Sequence, residues 1–289
     1  MQQKKYAVLS MDVEDWYQLY YFLGKADSSF SMLDGFPRYI DLLNEYGIRT
    51  TFFALSDIAD GVADILRYAA SCGHEIACHG KTHTRPLDLS PARFEAELTE
   101  AKAKLEDIVG KEVIGYRAPC YGIDMERYEI VRKVGFRYSS SKMDVSGHPL
   151  YGELDLTGFD QPMKGIYTAN GMTEFALSTQ KFCGKHFAVS GGGWIRLMPW
   201  GIFMKPLIGK YLRDAETYFL YIHPFELSEK EMPNVKSAGF VSNLRAHRGL
   251  GKVDGRVRTL VEMLKDNGFT AMTFGELHER AQNNALRNE

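Results

Sequence analysis

Two histidines stand four residues apart in His79-Gly80-Lys81-Thr82-His83, and three carboxylates fill four positions in Asp12-Val13-Glu14-Asp15. Imidazoles at that spacing lie on one side of a helical turn and can reach one ion together. Neutral imidazole nitrogen with carboxylate oxygen is the donor set of Zn²⁺ and of similar first-row divalent ions. Carboxylates so close repel one another unless water, a proton or a cation intervenes. The acidic tetrad alone reads as a solvated turn or as a metal and base cluster, and HxxxH alone also arises by chance. Their joint presence favours the metal site. His74, five residues before His79, reads as the first residue of a strand and not as a further ligand.

Two later segments add candidates. Arginine stays charged and pairs bidentately with carboxylates, so Arg117 beside the acidic tetrad would keep a general base ionised; a structural ion pair on a turn is the plainer role. Pro119 stiffens the turn after it, so that the following backbone N–H groups can face a bound carbonyl. His223 follows a strongly apolar run and is placed to exchange protons near neutral pH, against the commoner satisfied core histidine. These segments together supply what metal-assisted amide or ester hydrolysis needs. An ion lowers the pKa of bound water, a carboxylate takes its proton, a backbone N–H steadies the oxyanion, and an imidazole protonates the leaving amine.

Such groups must be brought together by strands. Apolar runs at 6–12, 49–55, 75–78, 113–116 and 136–139 alternate with helical patterns at 32–46, 58–70, 91–109 and 125–134. That is the pattern of βα units in a largely parallel sheet, where reactive groups gather at strand ends. Helix 91–109 is the clearest, with Ser90 as N-cap, Gly110 as stop, and Phe94, Leu98, Leu105 and Ile108 as its apolar stripe. From 146 to 206 the alternation gives way to Gly- and Pro-rich text. It returns with strands at 218–223 and 270–273, a helix at 253–265 and a last helix from Gly275. The expectation is one barrel-like α/β domain over 1–289 with an irregular insertion at about 145–215.

A balance of 35 Lys+Arg against 37 Asp+Glu, formally −2, lacks the basic surplus of a general nucleic-acid binder. An apolar content of 45% excludes a disordered chain. Cys72, Cys78, Cys120 and Cys183 form no CxxC pair and read as buried thiols of a reducing compartment. The start MQQKK leads into an apolar run too short for a signal peptide or a membrane span. A soluble, cytoplasmic protein, at most peripheral to the inner membrane, is therefore expected. The mixed stretch 195–212, with Lys205 and Lys210 among apolar residues, reads as a cover over the barrel in preference to a membrane contact.

In order along the chain, these segments resemble the polysaccharide deacetylases, the NodB-homology enzymes of carbohydrate esterase family four. LSMDVED is similar to the first motif LTFDDG, HGKTH to H-[ST]-x-x-H, RAPCYG to R-x-P-[YF]-G, and YIHP to the closing L-x-H; the likeness covers most of the chain. TEFALSTQKFCGKHFAVSGGGWIRLMPW and FLYIHPFEL further resemble a subgroup linked to bacterial exopolysaccharide synthesis loci, which carries the uncharacterised DUF3473 region.

The resemblance implies a distorted (β/α)7 barrel and metal-dependent removal of an acyl group, usually acetyl, from an N-acylated amino sugar of a polysaccharide or its precursor. It implies Asp12 as general base, Arg117 as the residue orienting it, and His223 as general acid. His79 and His83 would hold the ion with Glu14 or Asp15, the ion being Zn²⁺ ahead of Co²⁺, Ni²⁺, Mn²⁺ or Fe²⁺. Strand alternation puts Asp12 and Glu14 on one side and favours Glu14. Cys120 or Tyr121 would give the oxyanion N–H, and Ile222 would line the acyl pocket. The family's D-x-x-D-W motif is absent where SSSKMD stands, leaving Ser140, Ser141 or Asp144 to tune His223. Gly191-Gly192-Gly193-Trp194 lacks the GK[ST] of a phosphate loop. It reads either as a tight turn that lets Trp194 stack on a sugar and Arg196 hold an anionic group or as structural packing of the insertion, with Trp16 as another sugar platform or a core residue. A deformylase or cyclic imidase, and an inactive saccharide-binding homologue, are the competing functions. The oligomeric state is left open.

Overall fold

The computed structural model describes residues 4–145, 148–182, 184–283 and 285–286. Its first half runs β1 (Lys5–Val13), α1 (Gly35–Glu45), β2 (Thr51–Leu55), α2 (Ala63–Ser71), β3 (Glu75–Gly80), α3 (Pro91–Val109), β4 (Gly115–Tyr116), α4 (Met125–Lys133) and β5 (Tyr138–Ser139). These strands are parallel neighbours in sequence order. Local chemistry sets the boundaries where the sequence marks them. Ser90 Oγ accepts the Arg93 amide at the start of α3, and Gly110 ends that helix in a left-handed conformation at φ 66°.

The second half holds β6 (Asp160–Met163), β7 (Ile166–Ala169), β8 (Met172–Phe175), β9 (Thr179–Phe182), β10 (Lys185–Ala188), α5 (Gly192–Leu197) and α6 (Lys205–Asp214). It ends with β11 (Thr217–Ile222), α7 (Gly239–His247), α8 (Val253–Asp266), β12 (Phe269–Ala271) and α9 (Phe274–Gln282). The segment expected to be irregular is thus mostly regular. β8 joins the sheet beside β5, β7 and β6 follow it antiparallel, and β9 pairs with β10 as a separate hairpin. Asn170 and Gly171 both take positive φ, 51° and 78°, in the two-residue turn between β7 and β8. An Asn-Gly pair is the strongest short-range hairpin signal for that reason. α6 buries Leu207, Ile208, Tyr211 and Leu212, so this stretch does cover the barrel.

β1 is the central strand. β11 flanks it on one side, and β12 and then β2 pair with it on the other. Its alternation sorts the core into two layers. Ala7, Leu9, Met11 and Val13 face the helices, whereas Tyr6 and Val8 point inward to Phe53, Tyr138, Phe175, Phe219 and Phe274. The mixed sheet curls into a distorted half-barrel. β8 and β11 do not pair; irregular chain fills the gap between them. The Phe219 amide donates to Ser178 Oγ at 3.0 Å and the Tyr221 amide to the Ser190 carbonyl at 2.9 Å. A third apolar cluster, from Trp16, Leu19, Phe22, Met32, Phe225 and Met232, caps the end where β1 and β11 finish.

Of the cysteines expected to be buried thiols, Cys78 is buried, Cys72 and Cys120 are half-buried, and all three are unbridged; Cys183 lies outside the described residues. No helix among the described residues is long and apolar enough to cross a membrane.

Candidate active site

Because alternation turns Ser10 and Asp12 inward, the end of β1 delivers a polar row into the half-barrel. Arg117, which follows β4, meets it fully buried. Its Nη1 donates to Asp12 Oδ1 at 2.5 Å and to Ser10 Oγ at 3.0 Å. Nη2 and Nε donate to the hydroxyl and carbonyl of Ser140 at 3.0 and 3.1 Å, and the guanidinium lies 4.0 Å from the Phe53 ring centroid. Burial alone would weaken its charge, yet the Asp12 carboxylate raises its pKa above the ordinary arginine value. A charge placed this deep requires a partner and satisfied donors, and both are present.

Beside this pair, Glu14 faces three imidazoles. Glu14 Oε2 lies 2.7 Å from His83 Nε2 and 4.0 Å from His79 Nε2, and Oε1 lies 3.3 Å from His223 Nε2. His79 Nδ1 lies 2.9 Å from the Arg117 carbonyl. A carbonyl only accepts, so the ring proton sits on Nδ1 and the Nε2 lone pair is turned to Glu14. Burial drives the His79 pKa down to about 3, keeping the ring neutral. Burial also opposes the charge on Glu14, but His83, His223 and His79 outweigh it and hold the carboxyl below its ordinary value.

The contact of Glu14 Oε2 with His83 is not aligned as a hydrogen bond, so this buried oxygen has no hydrogen-bond partner, and neither has His83 Nδ1. One ligand atom each from Glu14, His79 and His83 lies within 4.8 Å of the others, all three residues buried. Two imidazole nitrogens and an orphaned carboxylate oxygen fit a first-row divalent cation, which takes such ligands at about 2.0–2.2 Å. The two histidines do not converge through a helical turn. His79 is the last residue but one of β3, Gly80 turns the chain at φ 107°, which only glycine adopts freely, and His83 returns from the following bend.

Asp15 is absent from this group. Its Oδ1 accepts the amides of Trp16 and Met32 at 2.8 and 2.9 Å, making it the cap of the turn after β1. Trp16, expected as a sugar platform, is fully buried, with Nε1 donating to the Phe30 carbonyl at 2.7 Å. Ile222, expected to line an acyl pocket, packs on the helix side with Leu220 and Tyr218; alternation turns Tyr221, not Ile222, to the cleft. His74 accepts the Thr50 amide through Nδ1 at 3.2 Å, at the start of β3.

Cys120 and Tyr121 both take positive φ, 53° and 54°. The Tyr121 amide is committed to the Ala118 carbonyl at 2.9 Å, while Cys120 borders the cleft beside Asp12 and Glu14.

Arg196, expected to hold an anionic group, has other partners. Its Nε donates to Glu226 Oε1 at 3.1 Å, and its Nη1 to the carbonyls of Arg245, Ala246 and Arg248. Glu226 was not among the candidates. It accepts the His223 amide at 3.1 Å through Oε2, which also lies 3.4 Å from His223 Nδ1. Burial would lower the His223 pKa, but Glu226 and then Glu14 push it up to about 9. Ser140, Ser141 and Asp144 serve elsewhere: Ser140 holds Arg117, Ser141 Oγ accepts the Ala118 amide, and Asp144 pairs with Lys142.

The cluster floors a cleft of about 480 Å³ whose walls include Tyr20, Tyr21, Tyr151, Trp194, His148 and Arg245.

Residues 27–139 match the polysaccharide deacetylase family, and residues 140–274 match a domain of unknown function, DUF3473. A peptidoglycan deacetylase from Helicobacter pylori is 27% identical over 117 residues, 40% of this chain and 40% of that protein. A peptidoglycan deacetylase-like protein from Gibberella zeae is 29% identical over 116 residues, 39% of this chain and 33% of that one. The chain thus matches well under half the length of these relatives. Among solved structures, a presumed polysaccharide deacetylase from Mycobacterium smegmatis aligns over 98% of this chain and 92% of its own, with TM-score 0.64 and 20% identity. A carbohydrate esterase family four pseudoenzyme from Bacillus anthracis aligns over 96% and 66%, with TM-score 0.55 and 12% identity. At these identities the likeness is one of fold.

Proposed function

We propose that this chain, whose residues 27–139 match the polysaccharide deacetylase family, is a metal-dependent hydrolase removing an N-acyl group, acetyl by preference, from an amino sugar of a bacterial polysaccharide or its precursor. What supports this above all is the buried Glu14 Oε2, which lacks a hydrogen-bond partner and faces the Nε2 atoms of His79 and His83. These three residues would hold Zn²⁺ or a related ion. Such an ion, when bound, lowers the pKa of a water and polarises a carbonyl.

The remaining roles belong to the chain itself. Asp12, paired with Arg117, takes the proton of the attacking water at its carboxylate. The Cys120 backbone N–H is the oxyanion donor, since the Tyr121 amide is already engaged. His223, oriented by Glu226, gives a proton to the departing amine. Tyr221 stands where the acyl group would sit, and Trp194 and the cleft tyrosines offer faces for sugar rings.

The test is acetate release from N-acetylglucosamine oligomers by zinc-loaded protein, run beside formate release from N-formyl analogues. Acetate release that stops with chelator and returns with zinc is the expected result. Formate release alone would make the protein a deformylase. Sugar binding without any release would make it an inactive homologue.

A further inference from the structure

Between Glu231 and Asp254 the chain has no acidic residue, although it is slightly acidic as a whole. The same stretch carries Lys236, Arg245, His247, Arg248 and Lys252, and no ion pair ties Lys236, Arg245, Arg248 or Lys252 to a carboxylate among the described residues. α7 lies at its centre. At about 100° per residue, Phe240, Val241 and Leu244 fall in one arc of this helix, with His247 at one edge and Arg245 at the other, while buried Ala246 faces the opposite way. The apolar ridge is open to solvent: Phe240 is 80% exposed, Val241 61% and Leu244 48%.

The ridge borders the active cleft. Arg245 lines the cleft, and the Arg196 guanidinium that holds Glu226 also takes the carbonyls of Arg245, Ala246 and Arg248. The helix is therefore fixed to the wall that carries His223 and is not a free flap.

An exposed apolar ridge flanked by Arg245, with Lys236, Arg248 and Lys252 in the same stretch and no acidic residue between Glu231 and Asp254, has the composition of an interfacial helix on an anionic lipid surface. A second copy of the chain would set two basic ridges against each other, which like-charge repulsion disfavours. We propose that α7 docks the protein on anionic bilayers, seating Phe240, Val241 and Leu244 among the lipid headgroups and acyl chains and turning the Arg245 side of the cleft toward the membrane surface.

Co-sedimentation of the whole chain with vesicles tests this without reference to turnover. Phosphatidylcholine vesicles with about one third phosphatidylglycerol should pellet the protein, pure phosphatidylcholine should not, and about 0.5 M salt should weaken the binding. The double variants F240S/L244S and K236E/R248E should each reduce partitioning about tenfold or more, with circular dichroism and thermal midpoint as in the parent. In a third variant, F240W, tryptophan emission should shift to shorter wavelength on anionic vesicles only. Equal pelleting with neutral lipid, no pelleting at all, or retained binding in both double variants would overturn the proposal. So would a concentration-dependent dimer in sedimentation velocity that F240S/L244S abolishes, since the ridge would then be a self-association surface.

Discussion

Glu226 grips His223 at two points, accepting its backbone amide at 3.1 Å and lying 3.4 Å from its Nδ1, while its other oxygen takes Arg196 Nε at 3.1 Å. The carboxylate is thereby clamped between a buried guanidinium and the imidazole. A carboxylate on one ring nitrogen fixes the orientation of the other, here toward Glu14 and the cleft. Replacing Glu226 with Gln keeps the shape and removes the charge. The expected outcome in acetate-release kinetics is a fall in kcat of about tenfold to a hundredfold, as for comparable supporting carboxylates, with KM and bound metal little changed. Wild-type kcat in that variant would mean that Glu226 is structural only.

Removing a member of the Glu14, His79 and His83 group acts one step earlier. E14Q, H79A and H83A should each lose stoichiometric divalent metal by elemental analysis and lower activity by about a hundredfold or more, since even outer supporting residues are worth about tenfold to a hundredfold in metal affinity. By contrast D15N should keep its metal, because Asp15 spends its carboxylate on the Trp16 and Met32 amides. An H79A protein that retained full metal occupancy would remove the basis for the hydrolytic reading.

The strands that carry this group were legible because each is a short apolar run ending in polar residues, and alternation along β1 set Glu14 on the side of Asp12, where both line the cleft. At β11 the carry-over from the family motif fell one residue off: Tyr221, not Ile222, faces the cleft, as the period of two counted back from His223 requires. For Trp16 and Arg196 the sequence left binding and packing open, and the structure gives packing. Residue type shows that an aromatic or a cation can bind sugar or an anion, but not that folding has already buried it against its own backbone partners. Glu226 had a readable signal, an acid three residues after His223 at capping-box spacing. The hairpin at Asn170-Gly171 had one too, hidden within glycine-rich text.

Arg117 is the site's main structural liability. R117M would leave Asp12 buried without its cation, and breaking a buried pair in this way costs about 3–5 kcal/mol. Urea denaturation should show a lower midpoint with an unchanged slope. R117K, which keeps one charge but cannot serve Ser10, Asp12 and Ser140 together, should fall between. A wild-type midpoint in R117M would show that the pair adds no net stability.

Acid should destabilise the fold through His74. Burial pushes its pKa down to about 4 with help from Arg49, and the Thr50 amide donates to its Nδ1, which requires the neutral ring. The unfolded chain titrates near 6.5, so between about 6.5 and 4 it binds more protons than the folded one and stability is lost as pH falls. Glu174, raised to about 7 by burial, works in the opposite direction over an overlapping window. The difference between wild type and H74Q isolates the histidine: calorimetric midpoints should converge on acidification from pH 7 to 4. Parallel curves would mean that His74 does not titrate with folding.

The glycine run before Trp194 has a packing reason that points to a last experiment. A Cβ on Gly192 would stand 1.9 Å from Glu226 Oε2 and 2.7 Å from its Cδ. That carboxylate cannot swing aside, since Arg196 and His223 hold it from two sides and it is buried. G192A must therefore displace Glu226 and, through it, the His223 ring. G193A sits in open space and serves as the control. The expected result is a G192A protein that binds metal like the parent but loses kcat about as much as E226Q does, while G193A stays near wild type. Loss of metal in G192A would place the damage at the ligand group, and an active G192A would show that the wall around Glu226 yields more easily than its contacts suggest.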